Sequence, residues 1–129
     1  MKLTIKTEYK TQLIDITEEV KEAVVKSGCK KGLVNIFVPH STCSIFVFEN
    51  QDPNVGRDLL KKLHDTVPSQ EKYAHVGGNA EGHLKSAYLG TNVTLPVENA
   101  LVVIGQWQGI FLGEFDGPRE RDVIISTVG

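Results

Sequence analysis

Apolar and polar positions alternate along this chain with two different periods, and the change from one to the other marks its elements. Leu3, Ile5 and Thr7 alternate with Lys2, Thr4 and Lys6, which predicts an opening strand with one wet face. From Asp15 the period lengthens. Ile16, Val20, Ala23 and Val24 recur at helical spacing behind the acidic start Asp15-Ile16-Thr17-Glu18, and Gly28 is where that helix should stop. Gly32 to Pro39 and Cys43 to Glu49 are nearly continuous in apolar residues, the pattern of strands buried on both faces. The polar segment Pro39-His40-Ser41-Thr42 joins them. A second helix is expected from Asp52-Pro53, with aspartate as cap, Val55, Leu59, Leu60 and Leu63 on its core face, and an end before Pro68. His64 falls in its last turns, where the helix dipole favours a cation. Ser69 to Gly82 follows no period and holds two adjacent glycines, and ordered loops of that length tend to carry function. Glu81 to Leu89 predicts a short helix closed by Gly90, and Val93 to Val97 a strand whose Pro96 marks an edge or a bulge.

The stretch from Gly105 to Arg121 reads as a strand and its return. One face carries Gly105, Trp107, Gly109, Phe111, Gly113 and Phe115; the other carries Gln106, Gln108, Ile110, Leu112, Glu114 and Asp116. Rings alternate with glycines on the first face, as they do in a crowded core, and this sets Trp107 on a core-like side. Asp116-Gly117-Pro118-Arg119 is a tight turn, and Arg121 to Val128 the strand that leaves it. The order of elements predicts one α+β domain over residues 1–129, with a largely antiparallel β-sandwich-like core and two or three short helices.

Composition narrows the function classes. A formal net charge of -2 gives no bulk attraction to nucleic acid. No apolar run approaches the ~20 residues of a membrane helix, and the first residues lack the features of a signal peptide, so a cytoplasmic protein without membrane or nucleic-acid partners is expected. Cys29 and Cys43 sit in or beside apolar segments and read as free buried thiols.

Chemistry must come from polar residues that the apolar pattern leaves unexplained. His40 follows a buried strand and precedes two hydroxyl residues; it is either a catalytic group on a rigid mount or a histidine hydrogen-bonded in a turn. Glu49 closes the next strand, where a carboxylate also simply marks a return to solvent. His40, His75 and His83 with a carboxylate would suit a divalent metal, magnesium or zinc, although their spacing matches no compact zinc signature. Asn79, the main-chain NH groups after it and Lys85 suggest a phosphate cradle at a helix N-terminus beside Gly77-Gly78. Arg119 and Arg121 would hold the same anion, or else pair with Glu114 or Asp116 on the surface, the reading favoured for Arg121.

Several of these residues also carry a resemblance. His40-Ser41-Thr42, Glu49-Asn50-Gln51-Asp52-Pro53, Tyr73-Ala74-His75, Gly78-Asn79-Ala80-Glu81-Gly82-His83-Leu84-Lys85, Trp107-Gln108-Gly109-Ile110 and Glu114-Phe115-Asp116-Gly117-Pro118-Arg119 are similar, in order, to the motif series of the YjbQ-like family. It is also called the secondary thiamine-phosphate synthase family. The resemblance spans nearly the whole chain. It implies a compact α+β fold, commonly a homotrimer, polar motifs gathered in a cleft, and a weak thiamine-phosphate synthase activity. Carried over by motif, the site is His40, Glu49, His75, Asn79, His83, Lys85, Trp107, Glu114 and Arg119. His40, Glu49, His83, Glu114 and Arg119 then stand as catalytic, with Asn79, Lys85, Trp107 and Arg119 binding the phosphorylated small molecule. Charge on a leaving diphosphate would be met by Lys85, Arg119 and a divalent cation, and Trp107 would stack on a heteroaromatic ring. Gly105-Gln106 departs from the glycine-threonine more usual before the tryptophan. The rival reading is a non-catalytic trimer that binds a phosphorylated metabolite or a metal.

Overall fold

The computed structural model describes all of residues 1–129. Eight strands and three helices follow in the order β1 (Lys2–Lys6), β2 (Gln12–Asp15), α1 (Thr17–Ser27), β3 (Lys31–Phe37), β4 (Cys43–Glu49), α2 (Pro53–Thr66), α3 (Ala80–Leu89), β5 (Asn92–Glu98), β6 (Leu101–Val102), β7 (Gln108–Glu114) and β8 (Glu120–Val128). Every strand pair is antiparallel, in a five-stranded sheet β1-β8-β3-β5-β6 and a three-stranded sheet β2-β7-β4. The fold is α+β, as the order of elements predicts.

The two sheets face one another over a single core. Val34 and Ile36 of β3, Val123 and Ile125 of β8, Cys43 and Ile45 of β4, and Ile110 and Leu112 of β7 meet there, joined by Val20, Ala23 and Val24 of α1. Both cysteines are free and buried, and burial pushes the Cys43 thiol up to about 11. The outer face of the three-stranded sheet carries Phe46, Phe48 and Phe111, with Phe46 and Phe111 stacked at 6.1 Å. A Cβ on Gly113 would meet Phe46 and Phe115 ring atoms at 3.0 Å, so that glycine does leave room for rings, whereas Gly109 lies against Asn50 and Asp15. That ring-bearing side is not the core side. Ile110, Leu112 and Glu114 point inward, the reverse of the orientation that the ring pattern suggested.

Helix ends follow the sequence signals. Asp52 accepts a hydrogen bond from the Asn54 N–H at 2.9 Å ahead of Pro53, and α1 closes on Gly28 in the left-handed conformation. At the start of α1 the carboxylate acts one residue early, since Asp15 Oδ1 accepts from the Thr17 N–H. Pro96 sits beside a strand that has already ended. Its carbonyl accepts from Val103 N–H, so its missing donor would point past the end of β6.

Two expectations are corrected. β3 is buried on one face only: Leu33 and Phe37 remain 48% and 37% exposed, because nothing within the chain covers the outer side of the five-stranded sheet. The strand expected from Gly105 begins at Gln108. Gly105 to Trp107 form a turn closed by the Gln108 N–H on the Gly105 carbonyl, and Trp107 is 60% exposed rather than core.

Candidate functional site

Where β7 ends and β8 begins, an acidic and a basic residue are folded inward together. Glu114 and Arg121 flank a turn with a cis Gly117–Pro118 bond, and both side chains are almost wholly buried. Each carboxylate oxygen accepts two hydrogen bonds. Oε1 takes Thr7 Oγ1 at 2.7 Å and Arg121 Nε at 2.9 Å; Oε2 takes Arg121 Nη2 at 2.5 Å and the Asp116 N–H at 3.1 Å. Burial by itself would raise the Glu114 pKa, but the bonds from Arg121, Thr7 and Asp116 outweigh it and hold the carboxyl below its usual range. Arg121 also donates to Thr42 Oγ1 at 2.7 Å. Arg121 therefore has the partner the sequence suggested but in the interior, not on the surface. Glu114 is a structural anion with no free lone pair aimed at solvent.

His40 lies against the same pair. Its Nε2 accepts the Asp122 N–H at 3.0 Å. A backbone amide only donates, so that nitrogen is unprotonated and the neutral ring carries its proton on Nδ1. Burial, and then the Arg121 charge, lower the His40 pKa against the opposing pull of Asp122 and Glu114. As placed, the residue is a hydrogen-bond acceptor held in a turn.

Outside this buried pair, the start of α3 gathers an accessible polar group. Gly82 allows the approach, because a Cβ there would stand 2.8 Å from the Phe115 carbonyl oxygen. Asp116 Oδ2 then accepts from Asn79 Nδ2 and from Arg119 Nη2, each at 2.9 Å, while Arg119 Nε donates to the Asp116 carbonyl at 2.7 Å. Burial would raise the Asp116 pKa; Asn79 and Arg119 bring it below the usual value. Asn79 Oδ1 is 2.9 Å from His75 Nε2, and the His75 and His83 rings meet edge to face at 5.5 Å. Arg119 stays about half exposed, with hydrogen bonds on Nε and Nη2 and none on Nη1.

Lys85 turns to the buried side of the same helix, 6% exposed. Burial and the nearby Lys10 lower its pKa, opposed by Glu81. Lys10 Nζ reaches Glu81 Oε1 at 3.0 Å as an ion pair, off the line of a directed hydrogen bond.

Glu49 and Trp107 stand elsewhere. The β4–β7 ribbon runs in register from Cys43 opposite Glu114 to Glu49 opposite Gln108, so its two ends are about 20 Å apart. At the far end Glu49 accepts the Asp52 N–H at 3.1 and 3.2 Å, and Asn50 N–H donates to the Trp107 carbonyl at 3.0 Å. Within one chain the motif-derived residues thus divide into two groups. No three His, Cys, Asp or Glu side chains come close enough to hold a metal ion. His75 and His83 do meet, but the Nε2 of His40 is already engaged, so the three histidines as placed do not make a metal centre. Sequence reasoning passed over Asp116 as the hub of the α3 group, and Thr7 and Thr42 as supports of the buried pair. The Asp-Gly-Pro-Arg turn was the available signal for Asp116.

A family model, UPF0047 protein YjbQ-like, matches residues 1–129. A UPF0047 protein of Methanocaldococcus jannaschii is 38% identical over 128 residues, covering 99% of this chain and 93% of that protein. The UPF0047 protein YugU of Bacillus subtilis is 39% identical, covering 98% and 97%. Among solved structures, a YjbQ/UPF0047 family protein from Clostridium acetobutylicum superposes with a TM-score of 0.97 at 41% identity, covering 99% of each chain. A YbjQ-like protein of unknown function from Sulfolobus solfataricus gives 0.96 at 35% identity, covering 100% and 95%. With the motifs in order, the fold shared and the match unbroken from end to end, the chain belongs to the YjbQ-like UPF0047 family.

Proposed function

We propose that the start of α3, with His75, His83 and Arg119, binds a phosphorylated small molecule, and that the reaction served there is a weak thiamine-phosphate synthase-like transfer. In that reaction a ring nitrogen of the thiazole phosphate attacks the exocyclic methylene carbon of the pyrimidine diphosphate. The carbon–oxygen bond breaks and pyrophosphate leaves. The demand on the protein is stabilisation of the leaving diphosphate more than strong base catalysis. Arg119 carries the reading: Asp116 fixes its Nε and Nη2, while its outer edge stays about half exposed beside the first turn of a helix. A fixed guanidinium at a helix N-terminus suits an oxyanion through geometry and dipole together. The imidazoles of His75 and His83, edge to face at 5.5 Å, border the same turn.

A non-catalytic binding protein is the second reading. The burial of Glu114, one of the residues carried over by motif as catalytic, favours it. In either case the protomer is taken as one third of a homotrimer. The exposed apolar residues Leu33, Phe37 and Val128 on the outer side of the five-stranded sheet support that assembly.

Titration with pyrophosphate, followed by an assay of thiamine phosphate formation from the two precursors, tests the proposal in wild type, Arg119→Ala and His83→Ala. Both variants should weaken pyrophosphate binding and lower turnover. Binding without turnover in the wild type would leave the binding-protein reading standing, and unchanged binding in both variants would overturn the site.

A further inference from the structure

We infer that the cavity beneath the first turns of α2 is a second ligand site, for a small organic cation with an apolar body. It does not depend on the proposed phosphate site, which lies at the other end of the β4–β7 ribbon.

The cavity exists because α2 is held at one end. Leu63 is its buried residue, followed by Val67 just past the helix, whereas Val55, Leu59 and Leu60 are only half-buried. Near its start α2 approaches the sheet at Gly56, where a Cβ would stand 3.3 Å from Leu13 Cδ1. Between that contact and the sheet a cavity of about 340 Å³ stays open. That volume is within the range of small-molecule sites, which join an apolar lining to a few placed polar groups.

Its lining selects by shape and by charge. The floor is formed by Phe48 and Phe111, edge to face at 6.4 Å, whose rings offer an apolar surface and a negative π face. Around the rim stand three carboxylates, Asp15, Glu49 and Asp52, against the one guanidinium of Arg57. Arg57 Nη1 is turned toward Asn54 Oδ1 at 3.0 Å. Asp15 uses Oδ1 for Thr17, and the partner of its Oδ2 is Asn50 Nδ2 at 3.5 Å, at the limit of a hydrogen bond. Glu49 accepts a single N–H, shared between its two oxygens. Acceptor capacity is therefore left over on two carboxylates facing an aromatic floor. A second, polar cavity of about 450 Å³ adjoins at Asp15 and Asn50 and brings Glu18 and Glu19, with Lys21 as its cation. An excess of negative charge thus surrounds Asp15 from both sides. An occupant with its ring or chain over Phe48 and Phe111 and an ammonium toward Glu49 and Asp15 satisfies all of these features. A carboxylate or phosphate there would meet like charge.

The test is a titration of isotope-labelled protein at neutral pH with three probes of one shape: 2-phenylethylamine, 2-phenylethanol and 3-phenylpropanoate. The amine should bind saturably at millimolar concentration or below, moving the amide signals of Phe48, Gly56 and Phe111. One charge-assisted hydrogen bond should make it about tenfold tighter than the alcohol, and the acid should not saturate. Glu49→Gln should remove most of the amine's advantage over the alcohol. Gly56→Leu, which builds a side chain toward the flexible end of Leu13, should abolish binding while the spectrum stays that of a folded protein. Equal binding of all three probes would overturn the inference. So would amine-induced shifts at Arg119 and α3 instead, or no saturable amine binding by the folded wild type.

Discussion

The two ends of the β4–β7 ribbon make opposite use of a glutamate. Glu114 is sealed, with each oxygen accepting two hydrogen bonds and a guanidinium alongside. Glu49 is half-buried and takes one backbone N–H. The same residue type closes a strand in each case, yet one carboxylate ties β1, β7 and β8 together and the other faces a cavity. The difference is the chain that follows. After Glu114 the turn leads back to Arg121, which must either be buried with its partner or leave an uncompensated charge. After Glu49 the chain enters α2, whose start lies open to solvent.

The largest effect should come from breaking the sealed end. Glu114→Ala strands the Arg121 charge in the interior and should cost about 3–5 kcal/mol in urea unfolding, against about 0.5 kcal/mol or less for Glu49→Ala. Replacing Glu114 and Arg121 together by apolar residues should be milder than either single change, because no unpaired charge is left. Equal costs at Glu114 and Glu49 would dissolve the contrast.

Acid should separate the ends in the same order. The folded Glu114 pKa is depressed, so its contribution is fully present above the unfolded value of about 4.3 and is lost as pH falls through the folded one. His40 acts earlier. Its folded pKa is also lowered, so the unfolded chain binds more protons below about 6.5 and stability begins to fall there. Stability measured against pH should therefore decline gently below about 6.5 and steeply below about 4.3. Glu114→Gln should flatten the steep limb, and Glu49→Gln should leave it in place.

Much of the fold was legible because its signals are local. Asp52-Pro53 starts a helix, Gly28 and Gly90 end helices, and Pro96 marks the limit of a ladder, each through its own backbone chemistry. What failed depends on what lies opposite. Leu33 and Phe37 read as buried on both sides because an apolar run does not say whether a second layer exists. Glu114 read as the acidic tip of a strand because nothing nearby in sequence shows that Thr7 comes to meet it, 107 residues away. Of the site, the sequence supplied the residue types and the motif order. It did not supply the distance between Glu49 and Glu114, which only the strand register fixes.

Trp107 provides the finest test of the contrast, and its expected effect is the smallest. The ring–glycine alternation set it on a core-like face, and a core tryptophan truncated to alanine costs about 3–5 kcal/mol. The structure instead places it in the turn before β7, 60% exposed, with its main chain rather than its ring tied to Asn50. Trp107→Ala keeps that backbone bond and should shift stability by no more than about 0.5 kcal/mol. As the only tryptophan of the chain, it should emit like a water-exposed indole and be quenched readily by iodide. Glu114→Ala, at the other end of the ribbon, should leave that emission unchanged as long as the protein stays folded. A blue-shifted, unquenched emission, or a loss of several kcal/mol, would mean that the Glu49 end is covered after all. The contrast would then belong to the isolated chain and not to the protein in solution.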